Sequence, residues 1–251
     1  GLGDVYKRQP LNWSPPPALR AAARARAVDV IRETLDAAAP GSDSQLQLCT
    51  AYAQLVSAPE DTARIQAALA GEDAFPGLTI DQDLRWELLF GLAAAGAASR
   101  SEIEAELVRD PSVSGRESAL MCLAARPDLA AKEEAWALAI EQDTQSNSAL
   151  EHLGKGFRRA NDVEALLAPF VERYHEMLEP VIASRSFALA ERCVKYFYPR
   201  DLASVALRDR TRTWLADHPD ANAGLRRLVI EQLSLVETAV RAQEREAEEA
   251  S

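Results

Sequence analysis

The string His175-Glu176-Met177-Leu178-Glu179 comes nearest to a reactive motif in this sequence of 251 residues. HExxH on a helix sets two imidazoles one turn apart on a zinc ion, with the glutamate as base. Here Glu179 stands where the second imidazole is required, so the ligand set is broken, and His175 and Glu176 read as members of a surface helix. His152 and His218 have no metal-ligating neighbours in the sequence. Cys49, Cys122 and Cys193 are far apart, lack CxxC spacing and sit among apolar residues; they read as small core side chains of a reducing compartment. No GxxxxGK[ST] or GxGxxG loop offers amides to a phosphate, and no GxSxG elbow presents a serine. Gly154-Lys155-Gly156 reads as a helix end, where glycine is the ordinary C-terminal cap. Adjacent carboxylates such as Glu133 and Glu134, and the run from Glu244 to Glu249, belong to solvated faces rather than to an acid–base pair.

Two further features have a structural and a functional reading. Arg85 lies in a helix flanked on two sides, so it either pairs, with Asp81 or Glu87 as the near candidates, or reaches a cavity. The group Tyr196-Phe197-Tyr198 either packs at a helix end or walls a peptide path. Neither is assigned to a site: no residue receives a catalytic, cofactor-binding or metal-binding role.

The element that must hold the rest is Ile80 to Gly96. At 100° per residue, Ile80, Leu84, Leu88, Leu92 and Ala95 share one face, and Trp86, Leu89, Phe90 and Ala93 the opposite one. Only narrow polar strips remain, with Arg85 on one and Asp83 and Glu87 on the other, as on an inner helix of a stacked array. Hydrophobic residues make up 47% of the chain and aromatics only 6%, with alanine prominent and β-branched runs scarce; close-packed helices follow. The fold class is all-α. Capping-box signals recur at Ser42/Gln45, Ser57/Glu60, Thr79/Gln82, Ser99/Glu102, Ser114/Glu117 and Asn161/Glu164. Alternate starts are separated by 37, 42 and 35 residues (Ser42 to Thr79, Ser57 to Ser99, Thr79 to Ser114), the period of helical hairpins in a HEAT-like α-α superhelix.

Helices are predicted from about Ala18 to Ala38, Asp128 to Glu141, Gln145 to Phe157, Asn161 to Met177 with Pro169 as a kink, and Pro180 to Phe197. Another ends near Asp217, and the last starts near Ala221. Residues 1–17 read as a non-native or extended lead-in, GLGDVYKRQ resembling a translated adapter and Pro10 to Pro17 being proline-rich. Residues 18–241 read as one helical domain, and 242–251 as a polar tail that frays.

The strings PGSDSQLQL (Pro40 to Leu48), DQDLRWELL (Asp81 to Leu89), IEAELVRDPSVSGRESA (Ile103 to Ala119), AKEEAWALAIEQDTQSN (Ala131 to Asn147), LLAPFVERY (Leu166 to Tyr174) and YPR (Tyr198 to Arg200) occur in this order. Together they resemble the C-terminal helical domain of bacterial aminopeptidase N, a family of zinc gluzincin aminopeptidases, over roughly Ala18 to Val240. In that family a third zinc ligand, a glutamate, follows the HExxH motif by nineteen positions; this chain has Tyr198 there. The resemblance implies a fragment whose zinc, HExxH helix and amine-holding GxMEN loop belong to a preceding catalytic domain. It implies a superhelix that closes over the zinc cleft, walls a chamber and limits access to peptides with a free N-terminus.

The expected partners are therefore the chain's own N-terminal catalytic domain and peptide substrates, with zinc as the cofactor of the intact parent and none in this fragment. A net charge of −11, from Lys+Arg 28 against Asp+Glu 39, argues against nucleic acid or an anionic membrane surface. The chain has no 18-residue apolar run and no cleavable leader, which makes a cytoplasmic location the expectation. The alternative is a free-standing helical-repeat scaffold that binds a protein on its concave face. A large apolar patch on the first helices would favour the first reading, and a polar capping helix the second.

Overall fold

The computed structural model describes residues 17–159 and 162–249, and among these residues every regular element is helical. In chain order the helices are α1 (Pro17–Asp36), α2 (Asp43–Ala53), α3 (Pro59–Leu69), α4 (Gln82–Ala95), α5 (Arg100–Arg109), α6 (Val113–Ala125) and α7 (Leu129–Trp136). A π turn, Ala137–Glu141, extends α7; then come α8 (Asn147–Phe157), α9 (Val163–Leu167), α10 (Phe170–Ser184) and α11 (Phe187–Phe197). A 3₁₀ turn, Arg200–Leu202, leads to α12 (Val205–Asp217) and α13 (Ala223–Glu249). One layer is the row α2, α4, α6, α8, α11, α13, each packed on the next; α3, α5, α7, α10 and α12 form a second layer against it, and α1 leans on α2.

Helix α4 is buried on both sides, as its pattern requires: Leu84, Trp86 and every residue from Leu88 to Ala94 are buried. Its contact with α2 is a backbone approach. A β-carbon at Gly91 would stand 2.1 Å from the carbonyl oxygen of Ala53, so only glycine lets the two helices meet. Gly96 ends α4 at φ 77°, the left-handed cap from which its own N–H and that of Ala97 reach back to Ala93 and Leu92.

The caps are only partly those expected. Ser99 and Glu102 form the full reciprocal box, and Ser42 Oγ accepts from Gln45 N at 3.1 Å. The Gln45 side chain turns elsewhere, accepting from Gly41 N and donating to the carbonyl of Pro76. At three other starts the signal is displaced. Asp81, not Thr79, caps α4, and Ser112, not Ser114, caps α6. Helix α3 begins with Pro59 after Ala58 and has no side-chain cap, so Ser57 is not one. Asp162 caps α9, whereas Asn161 lies outside the described residues. At α4 the cap lies two residues after the expected one and at α6 two residues before it, and in each the side chain accepts from the N–H three residues on, the reach a cap requires.

The prolines also exchange roles. Pro169 separates α9 from α10, and Pro180 lies inside α10 rather than opening a helix. Pro180 is on the exposed face, so the Glu176 carbonyl it deprives of a donor is on the solvent side, while Met177, Leu178 and Val181 hold the buried face down. The final helix does not stop at Arg241 but continues to Glu249; Gln243 Nε2 donates to Ala203 O at 3.1 Å along this extension. Residues 1–16, most of the lead-in, lie outside the described residues.

Candidate functional site

Most of the groups singled out for reactive potential are engaged in holding the array. His175 is not on a surface. It is 2% exposed, its Nδ1–H donates to Val171 O at 2.8 Å, and Nε2 lies 3.1 Å from Thr211 Oγ1, which is also hydrogen-bonded to the Tyr198 hydroxyl at 2.9 Å. Burial pushes its pKa down to about 4, so the imidazole is neutral at pH 7. Glu176 and Glu179, by contrast, are exposed, and Glu179 lies 3.8 Å from His218 Nε2. These residues do not fit a zinc ion: both ring nitrogens of His175 are committed, and its two carboxylates point away from the core that holds it. Among the described residues no three His, Cys, Asp or Glu side chains gather as a metal ligand set.

Arg85 pairs, though with a partner distant in sequence. Its Nε and Nη2 donate to the two carboxylate oxygens of Glu106 at 2.8 and 2.6 Å, and Nη1 donates to Leu69 O at 3.1 Å. Asp81 is occupied as a cap, and Glu87 accepts from Gln54 at 3.4 Å. The Arg85 guanidinium holds the Glu106 carboxyl below the usual carboxylate range. Phe197 and Tyr198 are fully buried and Tyr196 partly so. Phe197 joins Trp136, Phe157 and Phe170 in an aromatic cluster with ring centroids 4.9 to 6.2 Å apart, each such pair adding about 0.5–1.5 kcal/mol beyond burial. Arg85 is thus paired, and Phe197 and Tyr198 are packed.

Glu133 is bound by Arg173, at 2.9 and 2.7 Å, and Glu134 by Arg100. The three thiols are free and buried; burial raises their pKa, that of Cys49 to about 12, which leaves them protonated and inert. Gly154 and Gly156 are not caps. They lie inside α8, where a β-carbon would come within 2.4 Å of Tyr196 Cβ and 2.2 Å of Met121 O respectively.

The roles of Lys132 and Arg185 were not read from the sequence. Lys132 is fully buried, and Nζ donates to Ala124 O at 2.6 Å, Arg159 O at 2.9 Å and Gly156 O at 3.1 Å. Burial, with Arg159 next, pulls its pKa down to about 7, while three carbonyls at the C-terminal ends of two helices favour the ammonium. A signal existed: Lys132 lies on the stripe with Ala135, Trp136 and Ala139, all buried. Arg185 donates to Ala139 O, Ile140 O and Gln142 O at 2.6 to 2.9 Å and satisfies the end of the π turn; its place between two helices carried no such signal.

What remains is an array of helices in which buried polar side chains such as Arg85, His175 and Lys132 are bound by neighbouring helices. No helix among the described residues is long and apolar enough to cross a membrane. The description "ERAP1-like C-terminal domain" matches residues 8–238. Aminopeptidase N of Streptomyces lividans is 40% identical over 231 residues, covering 92% of this chain and 27% of that relative. The chain thus spans about a quarter of the length of the relative it matches. An ordered match across nearly the whole described array identifies the chain as belonging to the ERAP1-like C-terminal domain family.

Proposed function

We propose that residues 18–241 form the chamber-building domain of a zinc aminopeptidase that releases N-terminal residues from peptides, acting beside a catalytic portion elsewhere in the parent protein. The observation that carries this reading is the 40% identity to an aminopeptidase N along 92% of the chain. The structural use of most reactive candidates agrees with a domain that supplies shape rather than chemistry. The two layers would curve into a HEAT-like superhelix whose concave side encloses volume. Zinc, held in the catalytic portion, would polarise the scissile carbonyl and activate water there. This chain's own part is to exclude bulk solvent and restrict which peptides enter. The absence of a membrane-spanning helix among the described residues is compatible with the cytoplasmic location proposed for the parent.

One observation favours the second reading, a free-standing scaffold. The outward face of α1 carries Asp29, Glu33, Thr34 and Asp36 with Val30 among them, and that of α13 carries Arg227, Glu231 and Ser234 around Ile230. The α13 face is thus largely polar, as that of a terminal repeat is, whereas α1 also exposes Ala21, Ala22 and Ala25. The test is a graft: this chain replaces the matching stretch of the Streptomyces enzyme, and an aminoacyl chromogenic substrate is hydrolysed by the chimera, by the enzyme lacking that stretch, and by this chain alone with zinc. Activity in the chimera, with loss or altered peptide-length preference in the shortened enzyme, supports the chamber. A shortened enzyme with unchanged kinetics points to the scaffold, and zinc-dependent activity in the chain alone overturns the non-catalytic reading.

A further inference from the structure

The buried apolar side chains form two bodies rather than one. One cluster extends from Val28 to Ala125 and the other from Ala124 to Val240, and they meet where α6 lies against α8. At Gly156 this seam is a contact of backbone and small residues. A β-carbon on Gly156 would stand 2.2 Å from Met121 O and 2.8 Å from Ala124 Cβ. Helices in such contact interdigitate little, the condition under which packed helices slide past each other by small amounts. The ties across the seam are instead polar. Lys132 Nζ holds Ala124 O at the end of α6 together with Gly156 O and Arg159 O at the end of α8. Arg159 Nη2 then donates to Gln54 O, at the end of α2 in the other half, and Gln54 Nε2 reaches Glu87 on α4 at 3.4 Å. One buried ammonium therefore faces the negative ends of two helices: α6, which supplies side chains to both apolar bodies, and α8, whose buried side chains belong to the second.

We propose that the α6–α8 seam is a shear plane between the two halves of this domain, with Lys132 as the pin that sets their relative position. The pin acts because its three acceptors are main-chain oxygens of rigid elements: moving one helix end relative to the other breaks charge-assisted hydrogen bonds of a side chain that is fully buried. The inference concerns the mechanics of this chain and stands whether or not the intact protein is a peptidase.

The test is a distance between the halves in the full chain. Spin labels attached at Val108→Cys on α5 and Ile230→Cys on α13 occupy exposed positions on either side of the seam, and the native thiols are buried. Pulsed electron spin resonance is expected to give one narrow distance peak with Lys132 intact. In Lys132→Met, which keeps the volume of the side chain and removes its charge, the peak broadens or splits while the helical circular dichroism is retained. If that variant does not fold, Arg159→Gln replaces it, since it keeps the carbonyl held by Lys132 and removes the guanidinium that reaches Gln54. A peak of unchanged position and width in the folded variant overturns the proposal and leaves Lys132 a local cap.

Discussion

The Arg85–Glu106 pair allows a quantitative test of the structural assignment. The side chains are 14% and 8% exposed, and the two charges meet through paired hydrogen bonds of 2.8 and 2.6 Å, with Gln82 Nε2 adding a third to Glu106 at 3.1 Å. Removing one partner strands the other charge away from water, a loss of about 3–5 kcal/mol, whereas replacing both with apolar side chains of similar volume is often close to neutral. Arg85→Met and Glu106→Leu are each expected to cost about 3 kcal/mol, and the double variant less than about 2 kcal/mol, so the coupling exceeds about 4 kcal/mol. Urea unfolding followed by circular dichroism at pH 7 measures all four proteins, with an unchanged dependence on urea showing that the denatured state is the same. The pair also has a pH signature. Because the folded Glu106 carboxyl is depressed, its contribution is complete above the ordinary carboxyl value of about 4.3 and is lost as pH falls below that through the depressed value. Arg85→Met should therefore be less acid-sensitive than the parent. Strictly additive single substitutions, or a cost below about 1 kcal/mol for Arg85→Met, would refute the reasoning.

Gly156→Ala places a methyl group 2.2 Å from Met121 O and is expected to lower stability by about 3 kcal/mol through overpacking, read by the same urea titration; a neutral result would mean that α6 and α8 are not in backbone contact. His175, with a pKa of about 4, stays neutral in the fold while the unfolded chain takes up a proton below about 6.5, so stability should fall by up to about 3 kcal/mol as pH drops through that window. Nuclear magnetic resonance of its C2 proton reads this directly, and a midpoint near 6.5 would place the ring in solvent. Ser99→Ala is expected to cost about 1 kcal/mol and Ser114→Ala almost nothing, because Ser99 caps α5 while Ser112 caps α6; equal losses in thermal unfolding would reverse that assignment.

Much of the architecture was legible because its determinants are local. The two-sided burial of α4 follows from one helical turn being compared with the next, and the Ser99 box needs only four residues to agree. Failures cluster where two local signals compete. Thr79 and Asp81 both offer an acceptor, and the one closer to Leu84 N prevails. Pro180 has the features of a helix start, but its flank of Met177, Leu178 and Val181 is drawn into the core and carries the helix through. His175 was misplaced for a related reason: a histidine beside Glu176 reads as polar surface until α12 supplies Thr211 as a partner.

The order of apolar and polar residues, with its caps and breakers, by itself determined that this chain is a succession of packed helices, and the ordered strings were sufficient to point to its family. Only the tertiary structure decided which charges are satisfied and by what. Arg85 finds Glu106 from 21 residues away, and Lys132 gathers carbonyls from positions 8, 24 and 27 residues distant. Helical periodicity relates residues three or four apart, whereas a buried charge requires whatever acceptor the neighbouring helix brings; that choice exists only once the layers have met.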